Sequence, residues 1–304
     1  DYTNPTADTC ELWRIIGVFN NVTKGDGSKE NLVKIIRNDS LGDYSWDWKM
    51  TGVGTSTTGY GSNDWTDSHL MMMLNPIDYL KNGYSNSNDI IYDSNGQEIY
   101  SKMGSYYNGT KGCEPAEIAS GASFNCNEVD FTSTGLKNDT TRNAIESVVW
   151  NLGGANTYNS SSNGLASHWY GYERGTNVYN GHATTWTGKI GLMYPSDYGY
   201  ATSGGTVKDR TACLAKELYN WDSSDFSDCK GNDYLYDSSL YQRTMAPTSA
   251  YAHDVFDVYM FGYVRNDGNA YRTVDVRPAI YLKSSILLDK GTGESSNPYT
   301  LKIQ

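Results

Sequence analysis

The stretch 252–282 constrains the fold more than any other part of the chain. It contains two apolar, β-branched segments around the polar sequence Asn-Asp-Gly-Asn at 266–269. These polar residues tolerate the positive φ angles of tight hairpin turns. We therefore predict a strand over 252–264, a hairpin turn at 266–269 and a second strand over 274–282. Pro278 cannot donate to a β-ladder, so the second strand should have an edge or a bulge at that position.

Short alternating segments at both ends of the chain predict further strands. Residues 11–20 and 31–37 are separated by a Gly- and Asp-rich segment, a pattern typical of a hairpin. Residues 285–288 predict a terminal strand, and a Gly-Thr-Gly turn is predicted before the segment 299–303. We expect strands from the N-terminal and C-terminal ends to pair with each other. No repeat or Pro-rich linker divides the sequence, so one domain covering 1–304 is predicted.

Helical spacing is confined to a few segments. Apolar residues predict a helix over 70–80, with Asp67 or Ser68 as its N-cap. The segment 139–153 has one apolar face and ends in a Gly pair, which predicts the best helix of the chain. A shorter helix is predicted over 211–221.

The remaining segments favour irregular structure in an α+β protein. Residues 186–194 predict a strand, 195–201 a tight turn and 222–250 a polar loop. Two long segments of low periodicity, 83–137 and 154–185, are interpreted as loop insertions in the single domain.

Composition narrows the classes of partner. The net charge of −11 argues against nucleic acid and against an anionic membrane surface, because both attract basic patches. The chain contains 26 Tyr against 6 Phe, together with abundant Ser, Gly and Asn, the mixture that binding loops use. Half-buried strand positions are the alternative explanation for the Tyr residues. The composition suits an extracellular protein. No leader or membrane segment is evident, and we interpret the start at Asp1 as a processed or trimmed end.

Five cysteines allow two local disulfide bonds. We predict the pairs Cys113–Cys126 and Cys213–Cys229, each closing a short loop worth about 3 kcal/mol in the loop-entropy model. Cys10 is the odd residue, and the alternatives are a free thiol or a partner upstream of Asp1. Reduced thiols in a cytosolic protein are the alternative.

No motif for catalysis or cofactor binding is present, and the chain is predicted not to be an enzyme. The acid in the aromatic segment 170–173, Glu173, is the best candidate for glycoside hydrolysis. An ion pair with Arg174 or Arg142 is the favoured explanation for it. No cofactor is predicted. Calcium is a weaker alternative, because the polar residues 266–269 could offer oxygens but are better explained as a turn.

The order of several motifs resembles a bacterial family of surface domains with a C-type-lectin-like fold. This fold is similar to that of formylglycine-generating enzymes and of the variable proteins of diversity-generating retroelements. The resemblance covers nearly the whole chain. It rests on Leu-Trp-Arg-Ile-Ile-Gly-Val at 12–18, Trp-Thr-Asp-Ser-His-Leu at 65–70, Gly-Leu-Met-Tyr-Pro-Ser-Asp-Tyr at 191–198, Gly-Tyr-Val at 262–264 and Val-Arg-Pro-Ala-Ile-Tyr-Leu at 276–282.

The resemblance implies small antiparallel sheets with paired terminal strands, two main helices and long ordered loops on one side. In diversified members of the family the ligand surface precedes the Arg-Pro-Ala strand, which maps onto 232–271 here. No cysteine follows Cys229, so the formylglycine-generating activity is not implied. Members are often carried behind a pilin-like helix, which implies anchoring or self-assembly through a segment upstream of Asp1.

We therefore predict a secreted or surface-displayed binding module, such as an adhesin or the head of a pilus-like structure. Its partner would be a protein or glycan ligand on another cell or surface. A carbohydrate-active enzyme and a structural, pilin-like filament subunit are the alternatives. The predicted ligand-binding residues are Tyr234, Tyr236, Tyr241, Tyr251, His253, Tyr259 and Tyr271.

Overall fold

The structure is a computed structural model that describes residues 10–47, 57–76, 79, 104–113, 128–156 and 164–303. These residues form a mixed α+β fold with several small, mainly antiparallel sheets. The described α-helices are short, and the longest has 8 residues. Among the described helices, none has the length and apolarity required to cross a bilayer.

The strands of the described residues are β1 (Trp13–Thr23), β2 (Lys29–Arg37), β3 (Asp43–Ser45), β4 (Lys111–Cys113), β5 (Glu128–Asp130), β6 (Val148–Asn151), β7 (Thr185–Gly188), β8 (Ile190–Gly191), β9 (Gln242–Pro247), β10 (Asp254–Val258), β11 (Val264–Asn269), β12 (Thr273–Asp275), β13 (Ala279–Leu282), β14 (Ile286–Leu288) and β15 (Leu301–Ile303). The α-helices are α1 (His69–Leu74), α2 (Ser105–Asn108), α3 (Asp139–Asn143), α4 (Ala166–Glu173), α5 (Pro195–Ala201), α6 (Arg210–Leu214) and α7 (Ser227–Gly231).

The two ends of the chain meet in a four-stranded sheet. β1 and β2 form the predicted N-terminal hairpin, with Trp13 opposite Arg37. β13 pairs antiparallel with the other edge of β2, and β8 pairs with β13, so the order is β1-β2-β13-β8. The predicted pairing of N-terminal and C-terminal strands is confirmed. The strand predicted at 285–288 is also confirmed, as β14, which pairs with β15 in a separate hairpin.

A five-stranded sheet has the order β11-β10-β9-β12-β3. Its neighbours are antiparallel except for one parallel bridge between Asp275 of β12 and Gln242 of β9. Pro278 lies between β12 and β13, which belong to different sheets. The strand predicted over 274–282 is therefore interrupted at its proline, where the ladder cannot continue.

The hairpin turn predicted at 266–269 is wrong, because these residues lie within β11. The chain reverses earlier, between β10 and β11. Gly262 adopts a φ of +84° there, and its N–H donates to the carbonyl of Tyr259 over 2.7 Å. A glycine at positive φ thus makes the turn, as hairpins require, but six residues before the predicted glycine.

Gly268 is needed for close packing rather than for a turn. A Cβ at this position would lie 2.6 Å from Oδ2 of Asp257 and 2.7 Å from Nη1 of Arg243. These two side chains form an ion pair of 2.9 Å and are both 0% exposed. β11 therefore crosses the buried pair at a glycine, because any other residue would place a Cβ against the two side chains.

The helix predicted over 139–153 is also wrong beyond its first turn. α3 ends at Asn143, and β6 follows from Val148. Apolar residues in this segment fit helical spacing, but those from Val148 onward also alternate with less buried residues. The fold forms a strand that follows this alternation. Val148, Trp150 and Leu152 point into the core and are at most 2% exposed. Pairing of β6 with β7 overrides the local helical pattern.

The glycine pair after this segment does not cap a helix. A Cβ on Gly153 would lie 2.2 Å from the carbonyl oxygen of Tyr172, and one on Gly154 would lie 1.7 Å from that of Pro247. Both glycines therefore allow backbone segments from other elements to approach closely.

Three further predictions are corrected by the structure. The tight turn predicted at 195–201 is helix α5, because Pro195 opens the helix and Asp197 accepts the N–H of Tyr194. The polar loop predicted at 222–250 contains β9, which is buried along its whole length. The strand predicted at 186–194 is split into β7 and β8, which pair with different strands.

Two predicted helices are shorter than expected. α1 begins after Ser68, whose side chain accepts the N–H of Met71, so this predicted N-cap is confirmed. The helix ends at Leu74, while residues 77–78 and 80 lie outside the described residues. α6 ends at Leu214, and a separate 3-10 turn follows at Leu218–Asn220.

The predicted Cys213–Cys229 disulfide is confirmed. It joins α6 to α7 with a Cα–Cα distance of 5.4 Å. The predicted Cys113–Cys126 bond lies outside the described residues, since Cys126 is not among them. The predicted loop insertion at 154–185 contains helix α4, and the described part of 83–137 contains α2, β4 and β5.

Candidate functional site

Four aromatic rings form a continuous row at the surface. Tyr60 and Tyr271 stack with centroids 5.9 Å apart and an interplanar angle of 29°. His253 lies 5.2 Å from Tyr60, and Tyr251 lies 5.9 Å from His253. Tyr251 is 55% exposed and Tyr60 is 44% exposed. We call Tyr60, Tyr251, His253 and Tyr271 the exposed aromatic row.

Backbone contacts join the three chain segments that supply this row. The N–H of Tyr271 donates to the carbonyl of Tyr60 over 3.2 Å. The side-chain nitrogen of Asn63 lies within 3.0 Å of three carbonyl oxygens in the segment 248–254. Asn63 is 2% exposed, so it holds this segment against the loop that carries Tyr60. The row is therefore supported from beneath by a buried amide.

Tyr60 was not among the predicted ligand-binding residues. It lies far from the others in the sequence, between Gly59 and Gly61 in a Ser- and Thr-rich segment. A tyrosine in a loop rich in Gly, Ser and Thr resembles the predicted binding loops in composition, and this is the only local signal that could have indicated Tyr60. The structure brings it between His253 and Tyr271.

A second group of predicted residues surrounds Arg265. The guanidinium carbon of Arg265 lies 3.7 Å from the ring centroid of Tyr259 and 5.1 Å from that of Tyr241. Arg265 also donates to the hydroxyl of Tyr241 over 3.1 Å. Phe261, which is 55% exposed, packs edge-on against Tyr259 at 5.2 Å. Stacking of this kind holds the ends of the β10–β11 hairpin together.

Tyr241 and Tyr236 also serve the fold. Burial raises the pKa of Asp257, while Arg243 and a hydrogen bond with Tyr241 oppose the rise. The hydroxyl of Tyr236 donates to the carbonyl of Met260 over 2.6 Å, which fastens the turn of the β10–β11 hairpin. The polar ends of both tyrosines are thus already engaged within the chain.

The predicted residues do not form one surface. His253 precedes β10, and Tyr259 follows it. With a rise of about 3.3 Å per residue, the path along β10 from His253 to Tyr259 separates the exposed aromatic row from the Arg265 group by about 20 Å. Tyr234 lies elsewhere again, because its hydroxyl donates over 2.7 Å to the carbonyl of Ile16 on β1.

Tyr234 lines a shallow pocket. Burial raises its pKa to about 12. The other lining residues come from β1, α4 and α5, and they are Ile16, Phe19, Tyr170, Ser196, Asp197 and Tyr200.

The candidate acid Glu173 lies behind this pocket and is 0% exposed. It belongs to α4 rather than to a loop. The N–H and the hydroxyl of Ser196 donate to its two oxygens over 2.8 and 2.5 Å. Burial and the nearby charge of Asp197 raise the pKa of Glu173 to about 8, so this carboxyl holds a proton at neutral pH. Arg174 lies 3.3 Å from it, which confirms the predicted contact.

The described residues contain no group of three or more His, Cys, Asp or Glu side chains that could hold a metal ion. Asp228 accepts the N–H groups of Val207 and Lys208 over 2.7 and 2.9 Å, so its carboxyl serves the turn that these residues form.

Comparison of the chain with protein-family models, with curated proteins and with solved structures gives no match. The functional conclusion therefore depends on the geometry of these three regions.

Proposed function

We propose that the chain is an extracellular or surface-displayed ligand-binding module, such as an adhesin or pilus-like head, with a C-type-lectin-like fold. The pairing of β2 with β13 and the small antiparallel sheets support the fold. The Cys213–Cys229 disulfide supports an oxidising, extracellular environment. Neither observation identifies a ligand.

The exposed aromatic row carries the functional proposal. Its rings come from three chain segments, yet their centroids lie only 5.2 to 5.9 Å apart. Two of the rings, Tyr60 and Tyr251, are exposed, and the half-buried rings of His253 and Tyr271 join them into one patch. Apolar residues that lie singly on a surface need no explanation, whereas a contiguous apolar patch is a feature of binding surfaces. Tyrosine offers a large contact area and loses little side-chain entropy on binding. The buried amide of Asn63 adds preorganisation, which lowers the free-energy cost of association.

The ligand is a protein or a glycan on another cell or surface. Binding of the labelled protein to intact cells should be measured before and after two treatments. Protease removes surface proteins, and periodate oxidises surface glycans. Loss of binding after only one treatment identifies the ligand class.

The double variant Tyr60→Ala/Tyr251→Ala tests whether the row is the binding surface. If each ring contributes as an interface hot spot does, its loss should weaken binding by roughly 30-fold, and loss of both rings by several hundred-fold. The matched control is Tyr179→Ala/Tyr299→Ala, which removes two exposed rings outside the row. Binding by the first variant at wild-type strength, with both variants folded, would refute the proposal.

A carbohydrate-active enzyme is the second candidate. Glu173 holds a proton at neutral pH, and Asp197 lines the adjacent pocket. Glycoside hydrolysis uses two carboxyl groups, one of which donates a proton to the leaving group. Full burial of Glu173 weighs against this candidate. Turnover of a glycan panel that disappears in Glu173→Gln would favour the enzyme over the binding module.

A structural filament subunit is the third candidate. β1 is the outer strand of the four-stranded sheet as described, and Ile15 and Val18 on it are 45% and 66% exposed. An apolar outer strand can pair with a strand of another chain. Concentration-dependent polymerisation that an Ile15→Lys variant abolishes would favour this candidate.

A further inference from the structure

A lysine side chain lies in the core of the protein. Lys34 occupies the middle of β2, opposite Tyr281 of β13, and its side chain is 0% exposed. Lysine is almost never fully buried unless it is paired, because removal of an ammonium group from water is costly. The chain therefore maintains this buried amine against a large desolvation penalty.

Aromatic rings surround the amine. Nζ of Lys34 lies 4.2 Å from the ring centroid of Tyr194 and 5.2 Å from that of Trp150. The rings of Phe19 and Tyr281 lie 5.7 Å away. Burial lowers the pKa of Lys34, and this favours the neutral, nucleophilic amine.

A carboxyl group contacts the amine inside this cage. Nζ of Lys34 is in direct contact with Oδ2 of Asp197. The side chain of Asp197 is 2% exposed, and Oδ2 also accepts the N–H of Tyr194 over 2.8 Å. Asp197 lies in the first turn of α5 and is 163 residues away in sequence. An amine and a carboxyl from distant elements are thus held together with little freedom to separate.

A second carboxyl group adjoins the pair. Glu173 is bound to both donors of Ser196, the chain neighbour of Asp197. Its pKa is raised to about 8 mainly by burial, so it has a proton to transfer at neutral pH. The site therefore contains a desolvated amine, an acceptor carboxyl and a proton-bearing acid, which are the groups that amide formation requires.

We propose that Lys34 and Asp197 condense to an intramolecular isopeptide bond between Nζ and Cγ. Proton transfer within the pair leaves a neutral amine and a carboxylic acid. The nitrogen lone pair attacks Cγ, and the C–N bond forms. One C–O bond then breaks, and the departing hydroxyl takes a proton from Glu173 and leaves as water. The nitrogen returns its surplus proton to Glu173, so the net change is the loss of one water molecule, with no oxidant or reductant.

The pocket provides a route for that water. Asp197 and Ser196 line the pocket beneath Tyr170, Tyr200 and Tyr234. Departure of water through this pocket from a buried, mainly aromatic site favours condensation over hydrolysis. The product replaces a buried ion pair by a neutral amide, and it joins the four-stranded sheet to α5 covalently.

The mass of the wild-type protein tests the proposal directly. The purified full chain should be reduced, denatured and measured by intact mass spectrometry. We expect a mass lower than that of the sequence by one water molecule. After proteolysis, tandem mass spectrometry should find the peptide with Lys34 joined to the peptide with Asp197. A full sequence mass and two separate peptides would overturn the proposal.

Two lysine variants locate the bond. Lys34→Arg keeps the positive charge but cannot form this amide, so its mass should equal its sequence mass. Lys24→Arg is the matched control, because Lys24 forms surface ion pairs with Glu30 and Glu146 and should leave the water loss intact. Water loss that persists in Lys34→Arg would place it elsewhere and overturn the assignment.

Glu173→Gln tests the proton-transferring role separately. Glutamine matches the protonated carboxyl in shape. Its amide oxygen can accept the N–H of Ser196 and its NH2 group can donate to the hydroxyl of Ser196, but it cannot release a proton. We expect a folded chain, by circular dichroism, that cross-links slowly or not at all. Wild-type cross-linking in this variant would remove Glu173 from the mechanism.

Discussion

Gly268→Ala should destabilise the protein strongly, because the added methyl group collides with the buried ion pair. The new Cβ would lie 2.6 Å from Oδ2 of Asp257 and 2.7 Å from Nη1 of Arg243. Both side chains are 0% exposed, and Arg243 also donates to the carbonyl of Arg272 over 2.7 Å. Neither partner can turn into solvent, so β11 must shift or the pair must separate.

The loss of unfolding free energy can be estimated from the shift of β11 and from the separation of the ion pair. Overpacking of a core costs about 1–3 kcal/mol. Loss of a hydrogen bond between charged groups adds about 1.5–3 kcal/mol. If β11 shifts and the pair also separates, Gly268→Ala should lower the free energy of unfolding by about 2.5–6 kcal/mol, a large share of the roughly 5–15 kcal/mol of a typical domain.

The matched control is the same substitution at Gly171. This residue lies inside α4, and a Cβ there would meet nothing within 4 Å. Alanine is favoured over glycine in a helix by about 1 kcal/mol, so Gly171→Ala should be neutral or stabilising. Urea unfolding followed by tryptophan fluorescence measures both variants. A loss below about 1 kcal/mol for Gly268→Ala, or equal losses for the two variants, would refute the reasoning.

Three further predictions concern stability. Cys213→Ser/Cys229→Ser opens a loop with a sequence separation of 16 residues and should cost about 3 kcal/mol in urea unfolding; an unchanged midpoint would contradict this. Ser68→Ala removes the cap of α1 and should cost about 1 kcal/mol, whereas Ser68→Thr or Ser68→Asp should recover most of it. The pKa of Glu173 is about 8 in the folded chain and about 4.3 in the unfolded chain. Between these pH values the folded chain holds the proton and the unfolded chain has released it. The free energy of unfolding should therefore fall as the pH rises through this range, by about 5 kcal/mol in total. Unfolding series over this pH range should show a flatter dependence for Glu173→Gln, and identical slopes for the two proteins would show that Glu173 does not titrate as described.

Local patterns predicted the elements whose stabilising contacts are themselves local. The hairpin β1–β2 follows from two alternating segments around a turn. The Ser68 cap follows from a hydroxyl placed before an apolar run, and the Cys213–Cys229 bond follows from short separation. In each case the contacting residues lie close together in sequence.

The wrong predictions have a common cause. A glycine is compatible both with a turn and with a close contact, and one apolar pattern can be compatible both with a helix and with a strand. Gly268 was interpreted as a turn residue, but it makes room for an ion pair from β9 and β10. Gly154 was interpreted as the end of a helix, but it lies against the carbonyl of Pro247. Local sequence does not show which distant backbone or side chain will approach a residue that lacks a Cβ.

The sequence predicted several residues of the candidate site, but it did not predict which of them lie on the same surface. Tyr251, His253 and Tyr271 do come together, with Tyr60 added from a distant loop. Tyr241 and Tyr259 lie instead around Arg265, and Tyr234 lies beside β1. Which tyrosines share a surface depends on sheet order, and that order pairs strands far apart in the chain.

The sequence by itself determined the α+β class, the N-terminal hairpin and the disulfide of α6 and α7. Alternation, turn chemistry and cysteine spacing are sufficient for these features because each is encoded over short distances. The pairing of β2 with β13 was expected from the alternating segments at the two ends, but its register joins residues far apart in sequence and is set by the packed fold. Only the tertiary structure decided that the stretch 252–282 turns at Gly262 and divides between two sheets at Pro278. Only it brought Lys34 to Asp197, across 163 residues. The burial of Lys34 can be recognised only in the folded structure, because the rings that exclude water from its amine come from other elements.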